Sequence, residues 1–347
     1  MLNVCMIGHG MMGIWHSEAL QRTPDAVLHT VVGRPKPPQA EGGPSAGRAQ
    51  SSTEAFAHKY GYKKWTTNID EALADPEVDI VIIAGPSETH AEMSLKSIDA
   101  GKHTLVEIPL AMNLAGAEEV VAAAKEKGLA LGVSHPMRYR GERHDMVRRV
   151  KEGQERIHSV QGRFFIHRLQ NVGATGLQRS WTDNLLWHHT THLVDVGLWM
   201  VSGGDMATAD DRIRNVYSAY PAVEPRTGIP MELVLVVETH DDQTILCNGS
   251  YYAHHRIYDV LAVTDRDDYE VDELTSLLTT SEGERPIPTE QENAELIAPE
   301  FVEAVRDGRE PFVPGWSVLP AMRVLHRVQE QWDAKHGTQL IPGRPVT

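Results

Sequence analysis

The stretch Leu2-Asn3-Val4-Cys5-Met6-Ile7-Gly8-His9-Gly10-Met11-Met12-Gly13 decides the fold of the N-terminal half of the chain. Its short apolar run is typical of a strand buried on both faces, and it leads directly into a Gly-x-Gly-x-x-Gly turn. The first glycine permits the tight bend, the second lets a pyrophosphate approach the backbone, and the third lets helix and strand pack closely. A helix predicted over 11–22 would offer its N-terminus to that anion. The motif therefore predicts a dinucleotide site that includes Gly8, His9, Gly10, Met11, Met12 and Gly13.

Short apolar runs continue to alternate with helix-like segments as far as residue 134. Strands are predicted at 2–7, 27–32, 79–84, 103–106 and 129–133, with a further short segment at 64–67. Helices are predicted at 11–22, 53–60, 69–74, 88–100 and 114–127. Repeated βα alternation predicts the α/β class, with a doubly wound, mainly parallel sheet. We therefore expect a Rossmann domain over residues 1–134.

The pattern changes after His135. Long strand-like runs occupy 157–169 and 231–263. Helices are predicted at 185–201, 295–306 and 318–335. We expect an α+β substrate-binding domain over 135–347, built on an open, mostly antiparallel sheet, and its last helix could pack on either domain.

Length and charge restrict the classes of partner. The chain has 347 residues, is 41% hydrophobic and carries a formal net charge of −15. This charge argues against nucleic acid or an anionic membrane as the main partner, because both need a basic face. Cys5 and Cys247 form neither a metal-spaced cluster nor a disulfide framework. With no targeting pattern and no apolar run of the ~20 residues that a membrane span needs, we expect a cytoplasmic protein.

The end of the second predicted strand bears on the choice of dinucleotide. NAD sites place an acidic residue there, about 20 residues beyond the glycines, to bind the ribose hydroxyls. Here the segment reads Val31-Val32-Gly33-Arg34, so the acid is missing and a base follows. Because Arg34 can pair with a 2′-phosphate, we expect NADP in preference to NAD. The alternative is that Arg34 is only a solvated loop residue before the segment 35–52.

These motifs resemble the glucose–fructose oxidoreductase/inositol dehydrogenase/MocA (Gfo/Idh/MocA) family. The likeness includes the glycine motif, Gly85-Pro86 with His90, and Glu107-Ile108-Pro109. It implies that Gly85, Pro86, His90, Glu107 and Pro109 contribute to the cofactor site. The family usually carries Glu-Lys-Pro, whose lysine helps to handle the substrate proton, and an Asp-x-x-x-His pair in its substrate domain. In this chain Ile108 replaces the lysine, and His188 replaces the aspartate in register with His192.

Two longer stretches resemble a narrower group within that family. They are Val106-Glu107-Ile108-Pro109-Leu110-Ala111 and Arg179-Ser180-Trp181-Thr182-Asp183-Asn184-Leu185-Leu186-Trp187-His188-His189. The resemblance implies NADP-dependent oxidation of the cyclic hemiacetal of 4-carboxy-2-hydroxymuconate-6-semialdehyde to 2-pyrone-4,6-dicarboxylate. That reaction belongs to the protocatechuate 4,5-cleavage route for lignin-derived aromatic compounds.

Oxidation of a hemiacetal needs a base, and histidine titrates in the right range. His188 and His192 are four residues apart, so a helix would place them on one face. We predict His188 as the first candidate base and His192 as the second. Asp183 is a candidate hydrogen-bond partner, and Asp195 could orient a ring. His189 points elsewhere on an α-helix and is left out of the set.

Two alternatives remain for these histidines. They could form a hydrogen-bonded core pair, or a zinc site, since His-x-x-x-His with a carboxylate also suits zinc. No third ligand at a known spacing supports zinc, so we expect no metal.

The implied substrate carries two carboxylates and a planar ring. Arginine forks suit carboxylates, and tryptophans can stack on a ring. Each candidate could instead be a surface or core residue. Substrate contacts are predicted at His135, Arg138, Arg168, Arg179, Trp181 and Trp187.

Three other functions are compatible with the sequence. A dehydrogenase of the same family could act on a sugar or polyol, although this fits poorly with the missing lysine. A protein on the same scaffold could sense NADP without catalysis, and a metal-dependent hydrolase or isomerase could use the histidines. We also expect a homo-oligomer, a dimer or tetramer, because a second subunit could cover the open sheet.

Overall fold

A computed structural model of the chain describes residues 1–34, 52–172, 184–288 and 293–337. These residues fall into two compact units. The first contains 1–34, 52–136, 172 and 293–316. The second contains 137–171, 184–288 and 317–337.

The first unit is a six-stranded parallel sheet with the order β3-β2-β1-β4-β5-β6. Its strands are β1 Leu2–Ile7, β2 Ala26–Val32, β3 Lys64–Thr66, β4 Ile80–Ile83, β5 His103–Glu107 and β6 Leu131–Ser134. Its helices are α1 Met11–Leu20, α2 Thr53–Tyr60, α3 Ile69–Leu73, α4 His90–Asp99, α5 Leu114–Lys127 and α9 Asn293–Asp307. The prediction of a doubly wound parallel sheet is confirmed.

The central strands are apolar on both faces because each face of the sheet is covered. All four residues of β4 are buried, and so are Val4, Cys5 and Met6 of β1. Burial of such runs stabilises the fold by ~25 cal/mol per Å² of apolar surface removed from water. The centres of these strands therefore form the core of the first unit. Cys5, inside this apolar run, is a core residue.

Residues 293–316 lie in the first unit, whereas the sequence analysis assigned them to the second. The helix α9 contacts α1 and β5. Its Glu295 pairs with Arg22 at 3.2 Å, and its Arg306 pairs with Asp25 at 3.3 Å. The apolar face of α9 completes the cover of the Rossmann sheet, so the chain returns to this unit after building the second.

The second unit contains an eight-stranded sheet with the order β14-β13-β12-β11-β7-β10-β9-β8. Every adjacent pair is antiparallel except β7 with β10, so the prediction of an open, mostly antiparallel sheet is confirmed. Its strands are β7 Ile157–His167, β8 Ile213–Ala219, β9 Glu232–Thr239, β10 Thr244–Ser250, β11 Tyr252–Thr264, β12 Asp268–Asp272, β13 Leu277–Thr280 and β14 Gly283–Pro286. Its helices are α6 Gly141–Lys151, α7 Thr191–Val201, α8 Ala209–Arg212 and α10 Leu319–His336.

Glycines let α7 lie close against one face of this sheet. A Cβ added at Gly162 of β7 would stand 2.8 Å from Leu193, and one at Gly197 would stand 2.5 Å from Ile245. The last helix, α10, packs on α7 and β8 and therefore belongs to the second unit. On the opposite face, Tyr217 of β8 lies beside Val236 of β9 and is 55% exposed.

Across the described ranges, no helix is both long enough and apolar enough to cross a bilayer.

Candidate functional site

The glycine turn of the first unit has the geometry that dinucleotide binding needs. Gly8 has φ +98°, and a Cβ there would lie 2.5 Å from the carbonyl oxygen of Ala84 at the end of β4. A Cβ at Gly13 would lie 2.4 Å from the carbonyl oxygen of Gly8. A Cβ at Gly10 would meet no atom within 4 Å. The turn is therefore tight at its two ends and open at Gly10, where a pyrophosphate would approach.

The helix α1 begins at Met11, directly after this turn, and Met12 is its second residue. Gly10 caps the helix without a side-chain hydrogen bond and no acidic residue occupies the first turn. An uncapped N-terminus presents amide donors and the positive end of the helix dipole. These features fit an anionic ligand.

The loop after β2 supplies the second part of the site. Gly33 follows the last residue of β2, and the side chain of Arg34 is exposed to solvent. The side chains of His9 and Thr53 converge on Gly33, with His9 Nε2 3.2 Å from Thr53 Oγ1. The end of β2 is therefore surrounded by the guanidinium of Arg34, the hydroxyl of Thr53 and the imidazole of His9. Position 33, a glycine, carries no carboxylate.

His90 connects two of the predicted cofactor segments. Its Nδ1 donates a hydrogen bond of 2.7 Å to the carbonyl oxygen of Pro109, and its Nε2 lies 3.2 Å from the carbonyl oxygen of Gly85. The peptide bond between Ile108 and Pro109 is cis. His90 is 1% exposed, so its ring is buried between these two segments. Pro86 directly follows Gly85, so the structure brings Gly85, Pro86, His90 and Pro109 together at the carboxyl ends of β4 and β5.

Glu107 ends β5 in a buried pair that the sequence analysis missed. His16 of α1 donates from Nε2 to Glu107 Oε1 at 2.6 Å, and both side chains are at most 9% exposed. A buried carboxylate needs such a partner, because leaving it unpaired costs several kcal/mol. Gly13 and His16 are three residues apart and both lie on the buried face of α1. This spacing is the sequence signal that could have indicated a buried histidine.

The predicted helix at 185–201 has two parts. Leu185–Thr190 form a π-helical turn, and the α-helix starts only at Thr191. The hydroxyl of Thr190 donates to the carbonyl oxygen of Leu185, and the hydroxyl of Thr191 donates to that of Trp187. Threonine hydroxyls that bind preceding carbonyls bend helices, and π-turns often occur at functional sites. The prediction of one regular α-helix is therefore wrong at its start.

His188 and His192 are the two partly exposed residues of the segment 184–201, and the others are buried. Their ring centroids lie 6.1 Å apart, edge to face. The structure thus brings the two candidate bases together and makes both accessible. In an apolar helix otherwise buried on all sides, this pair is where a ligand could be contacted.

His189 joins the same cluster, although the sequence analysis left it out. Its ring lies 4.4 Å from that of His188, and it stacks on Phe164 of β7 at 3.9 Å. Its Nδ1 shares a 2.7 Å hydrogen bond with the hydroxyl of Tyr251. His188 and His189 both lie in the π-helical turn Leu185–Thr190. Sequence periodicity could not show this, because it assumes 3.6 residues per turn.

Arg168 lies beside this cluster through Tyr251. Its backbone amide donates to the carbonyl oxygen of Tyr251 at 2.8 Å, and its guanidinium lies 5.7 Å from the centroid of the Tyr251 ring. Its Nη2 donates to Asn171 Oδ1 at 2.5 Å. The side chain is partly exposed and so remains accessible to an anion.

Arg138 occupies a different place from the one predicted. Its Nε donates to Asp195 Oδ2 at 2.7 Å and its Nη2 to Asp195 Oδ1 at 2.5 Å. Ser317 accepts two further bonds, and the Arg138 side chain is 2% exposed. The prediction of a substrate contact at Arg138 is wrong for this structure, because a buried bidentate pair holds the guanidinium. The same pair engages both oxygens of Asp195, which we had expected to orient a histidine ring.

Two more predicted substrate residues are buried. Trp187 is 2% exposed and donates from Nε1 to Gln329 of α10 at 3.2 Å, so it belongs to the core and does not form a stacking wall. His135 is 1% exposed and lies in the first unit. Arg179, Trp181 and Asp183 lie outside the described residues.

Among the described residues, one group of three side chains could hold a metal ion. The candidate ligand atoms of His29, Asp75 and Glu77 all lie within 4.8 Å of one another. Lys64 already places its ammonium 2.7 Å from Asp75 Oδ2. Neither His188 nor His192 belongs to that group.

The fold and these sites define a class of protein, a nicotinamide-dependent oxidoreductase. Residues 2–135 match the Gfo/Idh/MocA profile, described as an oxidoreductase family with an NAD-binding Rossmann fold. Residues 142–256 match the C-terminal domain of bacterial oxidoreductases. The chain belongs to the Gfo/Idh/MocA family of oxidoreductases.

Curated relatives span several substrates. The 4-carboxy-2-hydroxymuconate-6-semialdehyde dehydrogenase of Sphingobium sp. (strain NBRC 103272 / SYK-6) is 28% identical over 96% of this chain and 99% of that protein. The 1,5-anhydro-D-fructose reductase of Ensifer adhaerens is 39% identical over 33% of this chain and 35% of its own length. The scyllo-inositol 2-dehydrogenase (NAD(+)) of Bacillus subtilis (strain 168) is 32% identical over 43% of this chain and 40% of its own.

Solved structures share the whole architecture. Levoglucosan dehydrogenase in complex with NADH and levoglucosan has a TM-score of 0.76 at 18% identity, covering 96% of this chain and 97% of that one. GenD2 from gentamicin A biosynthesis in complex with NAD has a TM-score of 0.73 at 23% identity, covering 97% and 95%. These likenesses establish the fold.

Proposed function

We propose that this protein oxidises the cyclic hemiacetal of 4-carboxy-2-hydroxymuconate-6-semialdehyde, or a close dicarboxylate relative, with NADP as acceptor. The observation that carries the proposal is the accessible pair His188 and His192 in an otherwise buried helix. The near full-length relative that acts on this semialdehyde supports it. The product would be 2-pyrone-4,6-dicarboxylate, an intermediate of aromatic catabolism.

The residues of the first unit fit a dinucleotide. The open position at Gly10 and the uncapped start of α1 suit a pyrophosphate. Arg34, with no carboxylate at Gly33, favours NADP over NAD, because a carboxylate would repel a 2′-phosphate. NADP, when bound, supplies the acceptor for the hydride that leaves the hemiacetal carbon.

The chain itself must remove the hydroxyl proton. The family resemblance implies a lysine after the glutamate that corresponds to Glu107, but here Ile108 stands in its place and is buried. We assign the base role to His188, with His192 beside it, because histidine accepts a proton near neutral pH. The O–H bond breaks and its proton goes to the imidazole, while the C–H bond breaks and its electron pair leaves as hydride for the acceptor. The exocyclic C–O bond thereby becomes a carbonyl, and the cyclic hemiacetal becomes a lactone.

The carboxylates of the substrate need cationic contacts. Arg168 lies beside the histidine cluster through Tyr251 and remains partly exposed. A guanidinium fork suits a carboxylate. Arg168 is therefore the arginine that we assign to substrate binding.

Two alternatives remain distinct. Several relatives act on sugars or polyols, which carry no carboxylate and would not need Arg168. A sensor would bind NADP without turnover. Metal-independent oxidation would separate either dehydrogenase from a metal-dependent hydrolase that uses the histidines.

We also propose a homo-oligomer in which the open face of the second sheet is covered by another copy. Tyr217 and Val234 are exposed on this face. Burying such side chains stabilises association at ~25 cal/mol per Å² of apolar surface.

The test mixes purified protein with the enzymatically generated semialdehyde and follows reduced cofactor by absorbance, with NADP and NAD in parallel. Inositol and levoglucosan are tested as alternative, neutral substrates. We expect rapid reduction with NADP favoured, and loss of it in His188→Asn. The exposed His58 of α2 provides a matched control, His58→Gln, which should retain turnover. Reduction with the neutral substrates alone would overturn the proposal, and binding without any turnover would indicate a sensor.

A further inference from the structure

The space above Gly33 is filled by two side chains from elsewhere in the first unit. A Cβ added at Gly33 would lie 1.9 Å from Thr53 Oγ1 and 2.6 Å from His9 Nε2. NAD sites place an acidic residue at about this position, 20 residues beyond the glycines. Here an imidazole and a hydroxyl occupy the place of that carboxylate.

The ring of His9 is held in this orientation. It lies 5.4 Å from the ring of Phe56, shares a 3.2 Å hydrogen bond with Thr53, and is 9% exposed. Thr53 and Phe56 both belong to the first turn of α2, so one helix fixes the imidazole. Burial lowers the pKa of His9 from its ordinary value, so the imidazole of the free protein is neutral at neutral pH.

We propose that His9 is a specificity-determining residue for 2′-phosphorylated dinucleotides, and that it takes up a proton when the 2′-phosphate binds. The inference rests on the proposed preference for NADP and assigns a pH dependence to it. The proton comes from solvent and binds to the imidazole. The imidazolium then donates to a phosphate oxygen, and no covalent bond changes.

The sign of the pH dependence follows from this linkage. If the imidazolium binds the phosphate, the pKa of His9 is higher in the complex than in the free protein. The contribution of the imidazolium to the binding free energy is then complete below the pKa of His9 in the free protein. This contribution is lost as the pH rises through the higher pKa of His9 in the complex. The 2′-phosphate, whose second pKa is about 6, acts with the opposite sign, because rising pH makes it more negative. A fall in the affinity for NADP above neutral pH therefore indicates that a group of the protein, and not the phosphate, loses a proton.

Two other side chains near Gly33 belong to charged residue types. Arg34 directly follows Gly33, and Glu54 is exposed in the first turn of α2. Of the residue types that face this position, histidine is the one whose ordinary pKa lies near neutrality. The pH dependence is therefore assigned to His9.

Isothermal titration of the full chain tests the inference without any substrate. The ligands are NADP, NAD and adenosine 2′,5′-bisphosphate, titrated at several pH values in two buffers of different ionisation enthalpy. For NADP and the bisphosphate we expect net proton uptake, with affinity about tenfold weaker at pH 8.5 than at 6.5. For NAD we expect neither.

Two variants assign the proton. His9→Gln keeps a polar side chain of similar reach and should abolish both the uptake and the fall in affinity. The matched control His58→Gln lies on the exposed face of α2 and should behave as the natural chain. If His9→Gln does not fold, the titration of the natural chain with NADP still tests the inference. Absence of proton uptake in that titration overturns the inference by itself. Unchanged uptake in a folded His9→Gln also overturns it.

This outcome is independent of the substrate. Proton uptake without semialdehyde oxidation would support the role of His9 and contradict the proposed reaction. Oxidation with NADP but without uptake would do the reverse.

Discussion

Replacing Asp195 by alanine should strongly destabilise the second unit. The Asp195 carboxylate accepts two hydrogen bonds from Arg138, and the two side chains are 1% and 2% exposed. Removing it leaves a guanidinium buried without its counter-ion. Breaking a buried pair from one side costs about 3–5 kcal/mol.

This cost can be converted into a melting temperature. For a unit of this size, 1 kcal/mol corresponds to about 2–4 °C, so the transition should fall by about 6–20 °C. Thermal unfolding followed by circular dichroism measures the shift, and urea titration provides an independent free energy. Asp145→Ala is the control, because it removes one partner of an exposed pair with Arg148 and should change nothing measurable.

A second variant separates the charge from the contact. Replacing both partners by apolar residues, Arg138→Met with Asp195→Leu, should recover much of the lost stability, because no buried charge then remains. A melting temperature for Asp195→Ala within about 2 °C of the natural chain, together with lost turnover, would refute the reasoning. It would return Asp195 to the role of orienting a histidine.

Four further outcomes are expected. His188→Asn and His192→Asn should each lower kcat by about 10²–10⁴, and near-normal turnover in both would contradict the assignment of the base. Arg168→Ala should raise KM for the semialdehyde at least about tenfold, worth ~1.4 kcal/mol, whereas an unchanged KM would remove it from the substrate site. Tyr217→Glu on the open sheet face should lower the mass measured by light scattering, and an unaltered mass would place the subunit contact elsewhere. Burial raises the pKa of Cys5 to about 12, so iodoacetamide at pH 8 should alkylate it only in urea, and alkylation of the folded chain would contradict its burial.

Much of the first unit could be predicted because its signals are local. Each strand is a short apolar run, and the glycine motif depends on contacts between neighbouring segments such as Gly8 and Gly13. The position of α9 could not be predicted in this way. Its sequence shows an apolar face but does not say which sheet that face covers.

The histidine site was only half predictable. The exposure of His188 and His192 agrees with their choice as candidates, but the π-turn that adds His189 depends on threonine hydroxyls that compete for backbone carbonyls. The sequence analysis also could not distinguish Arg168 from Arg138. Both are arginines after strands, and only the partner in space, Tyr251 or Asp195, separates an accessible guanidinium from a buried one.

By itself, the sequence determined the alternation of strands and helices over residues 1–134, the parallel Rossmann sheet and the dinucleotide turn. These features follow from periodicity and from the backbone freedom of glycine, which act over a few residues. Tertiary structure alone decided which charged and polar side chains are available for chemistry. It buried Arg138 with Asp195, paired His16 with Glu107 and placed His9 over Gly33. Residues distant in sequence meet in each case, and the cost of burying an unpaired polar group determines what each of them can still bind.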